Sequence, residues 1–278
     1  MISYKAVNKH AVTRWQWLLL ATICFLWLAP VIPLVIQSLS FQWFWPDLLP
    51  EVWWLDVRDQ SRLPIGWDYI FSPYSHLYQA FINTLIIGTG VTLITLLVCL
   101  PAARVLARYE FKFKPYIVLM FSTPLLLPEI ALALAILVPF INLDLSGGYI
   151  GVILAQLIPA IPYMIRILTS AYSGIRIQYE EQARLLGANS FQVFRFIHLP
   201  LLIPGIIAGC LFTFLVSSNI FLITFLVGQG SIETLPTLLF SKISGGAMDA
   251  TAAGLTLIVM VPGIIFLLAV ERYIQEIN

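Results

Sequence analysis

The sequence predicts an all-α integral membrane protein with six transmembrane helices, several of them kinked, and a helical elbow on the cytoplasmic side. Three observations carry that prediction. Of 278 residues, 60% are hydrophobic and 10% charged, against about 25% charged in an average soluble domain. The mean hydropathy of +0.92 leaves no polar skin for a water-soluble globule of this size. Apolar stretches also recur at the length a bilayer demands, since about 20 helical residues cross a hydrocarbon core of about 30 Å.

The first stretch, residues 17–39, follows Lys5, Lys9 and Arg14. It exceeds the apolar core of a signal peptide, about 7 to 15 residues, and no A-x-A-like site follows, so it reads as a retained helix. The other five are residues 77–100, 116–140, 149–170, 201–227 and 251–270. Pro30 and Pro33 interrupt the first, Pro124 and Pro128 the third, Pro159 and Pro162 the fourth. Such breaks persist in membranes where neighbouring groups satisfy the freed carbonyls, which predicts a kinked, tightly packed bundle.

Charge placement sets the orientation, because Lys and Arg accumulate in cytoplasmic loops. With the N-terminus inside, the inner segments hold Lys5, Lys9, Arg14, Arg104, Arg108, Lys112, Lys114, Arg166, Arg176, Arg184, Arg195 and Arg272. The outer ones hold only Arg58, Arg62 and Lys242, so both termini are placed in the cytoplasm. The net charge of +1 includes no basic patch suited to nucleic acid. Cys24, Cys99 and Cys210 stand apart in apolar runs, and His10, His76 and His198 are equally scattered, so no metal site is predicted.

Two loops are too long for simple connections. Residues 41–75, outside, set Trp43, Trp45, Trp53, Trp54 and Trp67 among Asp47, Glu51, Asp56, Asp59 and Asp68. That mixture predicts a partly folded cap at the membrane interface, either an aromatic belt or a docking surface for an extracytoplasmic partner. The inner loop, residues 171–200, predicts a short helix ending near Gly187, a turn, and a second helix capped by Asn189 or Ser190 and stopped by Pro200. In that second helix Phe191, Phe194 and Ile197 recur at three-residue spacing with Gln192 and Arg195 on other faces. An apolar stripe of this kind either fits a groove on another protein or packs on its own bundle.

Within the spans Glu129 is the outstanding ionisable residue, following Pro128. A carboxylate at mid-membrane costs roughly 2.5 to 3.5 kcal/mol on insertion scales, so such groups face the bundle interior or water. It either touches a cationic solute or caps the half-helix after the proline. Ser217, Ser218 and Asn219 form a second cluster of pathway candidates, although interhelical hydrogen bonding is the commoner role of such groups. The spans offer no clustered nucleophile, base and acid, so no catalytic residues are predicted.

The loop then reads Glu181-Gln182-Ala183, three residues, Gly187, nine residues, Ile197-His198-Leu199-Pro200. This resembles the signature of the inner-membrane permease subunits of bacterial type I ABC importers: E-A-A, three residues, G, nine residues, I-x-L-P. Every spacing matches, and Gln182 replaces the family's Ala. Residues 102–113 resemble the inner loop between the second and third helices of these permeases. Residues 124–129 (P-L-L-L-P-E) and 199–209 resemble the branch that carries polyamines, opines and phosphonates, as does Leu186 where sugar permeases carry Asp. Asn219 stands where that branch often has an acidic residue.

The resemblance implies that residues 1–278 form a single permease domain, half of a pathway completed by a second permease chain, often a paralogue. It implies that Glu180, Glu181, Gln182, Ala183, Gly187, Phe191, Phe194, Arg195, Ile197, Leu199 and Pro200 couple to a cytoplasmic ABC ATPase dimer, and that an extracytoplasmic substrate-binding protein delivers the solute. The sequence holds no G-x-x-x-x-G-K-[ST] phosphate loop, so ATP and Mg²⁺ are expected on the partner and no cofactor on this chain. The location implied is the bacterial inner membrane. The competing reading is an autonomous secondary transporter or channel with Glu129 as the coupling residue, although no internal repeat supports it.

Overall fold

A computed structural model describes residues 14–43, 47, 49–245 and 249–277. Lys5, Lys9 and Trp45, used above for orientation and for the cap, lie outside them. The chain divides into two compact units, Met1–Ile70 with Ala247–Leu257, and Phe71–Gly246 with Ile258–Asn278.

In the first unit α1 (Arg14–Leu28) and α2 (Val31–Ser38) meet at an angle of 43° across Pro30. Proline lacks the N–H and crowds the carbonyl four residues back, which places the break there. After α2 the chain folds as a small cap. Strands β1 (Ser40–Gln42) and β2 (Val52–Trp53) pair antiparallel, followed by α3 (Trp54–Arg58) and α4 (Gly66–Ile70). Trp54 is its anchor, donating Nε1–H to the Ile65 carbonyl at 2.9 Å under the Arg58 guanidinium, which pairs with Asp68 at 2.8 Å. Gly66, at φ +53°, passes so close to the Trp54 ring that a Cβ would lie 2.7 Å from it.

The second unit is built on α5 (Leu77–Arg108), α8 (Tyr149–Gly174) and α11 (Leu199–Asn219). Small residues let these helices approach, as membrane packing requires where apolar side chains gain nothing by leaving lipid. A Cβ on Gly88 would lie 2.7 Å from the Phe214 ring, and one on Gly209 would lie 2.8 Å from the Met164 sulfur. Ala103, Ala155 and Ala160 are fully buried. One core cluster joins Ile87, Val91, Ile136, Val152, Ile223 and Val227, and another joins Cys99, Leu106, Met164, Leu168, Tyr172 and Leu202.

Two further predicted spans are each divided into separate helices. The third becomes α6 (Lys114–Ser122) with a 3₁₀ turn (Thr123–Leu125), then α7 (Glu129–Asn142) at 101° to it. The fifth ends at Asn219 and resumes as α12 (Leu222–Val227). Between α8 and α11 lie α9 (Ile177–Leu185) and α10 (Ser190–Val193). The chain closes with α13 (Leu235–Ser244) and α14 (Ala250–Ile277).

By length and composition α5, α8 and the run Ser190–Asn219 can cross a membrane, as can each bent pair taken as one span; the apolar part of α14, Ala250–Ile265, is shorter. The architecture is therefore mainly helical, as predicted, with the β1–β2 pair as an exception, and α8 runs unbroken through Pro159 and Pro162.

Candidate functional site

The elbow is built by local chemistry. In α9 the N–H of Gly187 bonds the Arg184 carbonyl at 3.0 Å and that of Ala188 reaches back to Ala183 at 3.0 Å. This pair of bonds closes a helix on a left-handed residue, and Gly187 has φ +85°. Asn189 then starts α10 with a reciprocal cap: its Oδ1 accepts from the Gln192 N–H at 2.9 Å, and Gln192 Oε1 accepts from the Asn189 N–H at 2.8 Å. Of the two predicted caps, Asn189 is the one used.

Pro200 does not stop the second helix. A π-helical turn, Phe194–His198, joins α10 directly to α11, and Pro200 falls in the first turn of α11, where a missing N–H is tolerated. The widened turn, with Leu199 N–H bonded to Phe194 O, also shifts the faces of the helix. The apolar stripe is corrected accordingly. Phe191 is exposed, but Phe194 and Ile197 are half-buried and Val193 is the buried anchor, while Phe196 faces out. The tip is completed by Leu185 and Leu186, 87% and 88% exposed. Beside this tip a cavity of about 310 Å³ is lined by Ala183, Leu186, Gly187, Gln192, Val193 and Phe196. Glu181, Gln182, Arg195 and Pro200 are exposed, and Leu199 is half-buried.

Glu180 lies apart from its neighbour Glu181, with its side chain only 13% exposed. Its Oε1 accepts from Arg104 at 2.9 Å and from Arg184 at 2.8 Å, and its Oε2 lies 3.3 Å from Nε2 of the fully buried His198. His198 in turn stands edge-on to Tyr172, with ring centroids 5.8 Å apart. Burial alone would raise the Glu180 pKa, but the Arg184 hydrogen bond and the charges of Arg104, His198 and Arg184 outweigh it and hold it below the ordinary carboxylate value. One carboxylate thus ties the end of α5, the elbow and the start of α11 together. The loop motif drew attention to Glu180, but Arg104 and His198 entered no predicted site. The only sequence signal for Arg104 was its place among the inner-side cations.

The pathway candidates divide. Ser217 is buried and donates to Gln156 Oε1, while Gln156 Nε2 donates to Thr224 Oγ1 at 2.8 Å. Ser218 is buried with no hydrogen-bond partner for its hydroxyl. Asn219 and Glu129 are exposed where the broken helices meet. Glu129 opens α7 and its Oε1 accepts the Leu222 N–H at 3.2 Å, so one carboxylate caps the start of α12 while standing in the first turn of its own helix. The starts of α5 and α8 are joined by Asn83, which donates to Glu233 O at 2.7 Å and accepts from the Tyr149 hydroxyl at 2.7 Å.

Residues 99–277 match the family described as "binding-protein-dependent transport system inner membrane component". Among curated relatives, the spermidine/putrescine transport system permease PotC of Escherichia coli K12 is 28% identical over 226 residues, covering 78% of this chain and 85% of that one. The molybdate/tungstate permease WtpB of Thermococcus kodakarensis is 30% identical over 144 residues, covering 52% and 57%. The fold matches a chain of a bacterial ABC transporter that imports the acidic polysaccharide alginate, with a TM-score of 0.67 over 98% of this chain and 99% of that one at 16% identity. It also matches a chain of the MetNI methionine ABC transporter in its inward-facing form, with a TM-score of 0.58 over 73% and 96% at 18% identity. With the family matched across α8, the elbow and α11, this chain belongs to the inner-membrane components of binding-protein-dependent transport systems, as a multi-pass permease component of an ABC importer.

Proposed function

We propose that this permease forms half of a pathway that carries a small charged solute into the cytoplasm, driven by ATP hydrolysis on a separate ATPase dimer. The observation that carries the reading is the elbow: a rigid helix–turn–helix with Leu185, Leu186, Phe191 and Phe196 exposed at its tip and Glu180 fastening its root. Exposed apolar tips on a rigid support suit a groove on a partner, and burial of each large side chain there contributes about 1.5 to 3 kcal/mol. The elbow faces the cytoplasm in this reading, with both termini on that side. ATP and Mg²⁺ belong to the partner, and this chain contributes no cofactor and no catalytic group. A second permease chain, often a paralogue, completes the pathway, and a periplasmic binding protein delivers the solute. Support for such partners comes from the matched alginate transporter, which was solved with its periplasmic protein. The gradient-driven alternative finds no support in the family match.

Polyamines lead the candidate solutes because PotC is named for spermidine and putrescine, with phosphonates and opines as the other arms of the screen. The deciding experiment reconstitutes this chain with its second permease, ATPase and binding protein, and follows uptake and stimulated ATP hydrolysis for each solute class. Accumulation that persists without the ATPase would refute the reading.

Glu129 belongs to this proposal as the carboxylate at the junction of the broken helices. Glu129→Gln keeps an oxygen to accept the Leu222 N–H while removing the charge. If the carboxylate contacts a cationic solute, uptake is expected to drop by roughly tenfold, the scale of one charged hydrogen bond, with thermal stability unchanged. A fall in stability together with uptake would assign Glu129 to capping alone.

A further inference from the structure

Between the end of α5 and the root of the elbow lies a cavity of about 270 Å³, lined by Arg104, Arg108, Tyr109, Glu180, Glu181 and Arg184. Three guanidiniums share it with two carboxylates. Oε1 of Glu180 is already engaged by Arg104 and Arg184, and its Oε2 faces Nε2 of His198 at 3.3 Å. Glu181 is the other carboxylate at the cavity, yet Nε and Nη2 of Arg108 and Nε of Arg104 are buried and unpartnered. Buried charged donors left unmatched are costly, and the planar fork of a guanidinium matches a carboxylate with two parallel bonds.

The position of the cavity narrows the occupant. Helix α5 has 32 residues, about 48 Å at 1.5 Å per residue, against a hydrocarbon core of about 30 Å. Its apolar run ends near Leu100, so Arg104 and Arg108 stand in the turns beyond it. The cavity therefore opens past the acyl chains and is continuous with the elbow through Glu181 and Arg184. We infer that it is a socket for an acidic side chain of the ATPase subunit, a second anchoring point beside the apolar tip. An Asp or Glu carboxylate entering it would draw the Arg108 guanidinium, whose Nε and Nη2 are now buried, toward the opening, would supply the acceptor those atoms lack, and would bind the ATPase to α5 as well as to the elbow. This inference rests on the proposed ATPase coupling.

The test uses the assembled importer, with the ATPase co-expressed. Arg108→Gln is expected to release the ATPase at lower salt than the unaltered complex and to weaken its binding on the order of tenfold, the effect of losing one buried partner of a charged pair. Arg108→Lys should restore part of it, which separates charge from folding. Arg108→Glu should lose the ATPase, and a single Asp or Glu to Arg exchange on the ATPase surface should bring it back. Retention of the ATPase by Arg108→Gln through the same salt series would overturn the socket and leave the coupling reading intact. Failure of the unaltered complex to hold an ATPase would instead remove the coupling reading. If retention follows added inorganic phosphate, or phosphatidylglycerol against phosphatidylcholine nanodiscs, while no exchange on the ATPase restores it, the occupant is a phosphate group and the proposal is wrong.

Discussion

Gly187→Val is expected to abolish solute uptake while leaving the permease in the membrane and the ATPase able to hydrolyse ATP. At φ +85° an L-residue suffers a close contact between its Cβ and the backbone, costing roughly 1 to 2 kcal/mol, and a β-branched one relieves it least. Apart from its two neighbours in sequence, no described residue has an atom within 4 Å of a Cβ built there. The substitution therefore acts by re-aiming α10 and by adding bulk on the side offered to a partner, without a clash inside the bundle. Gly187→Asn tolerates the left-handed backbone and should keep most of the uptake, which separates backbone from bulk. Glu181→Lys, which reverses an exposed charge beside the tip, should uncouple in the same way. The ratio of solute moved to ATP hydrolysed in proteoliposomes is the measurement. An unchanged ratio in both Gly187→Val and Glu181→Lys would remove the elbow from the coupling path.

Glu180→Ala carries the other large expected effect. Removing this carboxylate leaves Arg104 without its acceptor and His198 buried beside it, and breaking a buried pair from one side costs on the order of 3 kcal/mol. The loss falls on the attachment of the elbow, because the core clusters of α5, α8 and α11 lack no contact. Faster hydrogen exchange across residues 177–198, with the rest of the chain unchanged, is the expected signature. The pH dependence follows from the same group. Its pKa lies below the ordinary carboxylate value, so its stabilisation is fully present above that ordinary value and is lost as pH falls through the depressed one. Protection of the elbow amides in the unaltered protein, measured against the intrinsic exchange rate at each pH, should hold from neutral pH down to about pH 4 and fall only below it. Glu180→Gln should exchange fast throughout. Slow exchange in both variants at neutral pH would show that the elbow is held by packing alone.

The parts of this molecule that could be read in advance are those whose chemistry is local. The reversal at Gly187 needs only a residue free to adopt positive φ, and the start of α10 needs only Asn189 and Gln192 three residues apart. Both were visible in the order of the letters. Pro200 does not end the second helix because the widened turn at Phe194–His198 carries the chain into α11 past it, and that turn follows no local signal. The same extra residue displaced the apolar stripe from Phe194 and Ile197 to Phe196, with Leu185 and Leu186 added from the helix before it.

The sequence by itself determined that this chain lives in a bilayer, where its apolar runs lie and that the loop between the fourth and fifth of them carries the motif resembling the permease family, because hydrophobicity and turn propensity act between near neighbours. Only the tertiary structure decided what fastens that loop and what occupies the helix breaks. Arg104 meets Glu180 across 76 positions and Glu129 meets the Leu222 N–H across 93. Such pairings depend on how the helices pack, α5 on α11 at Gly88 and α11 on α8 at Gly209 among them. A charge seeks whichever opposite partner the packed helices bring within about 3 Å, and proximity of that kind has no period along the chain.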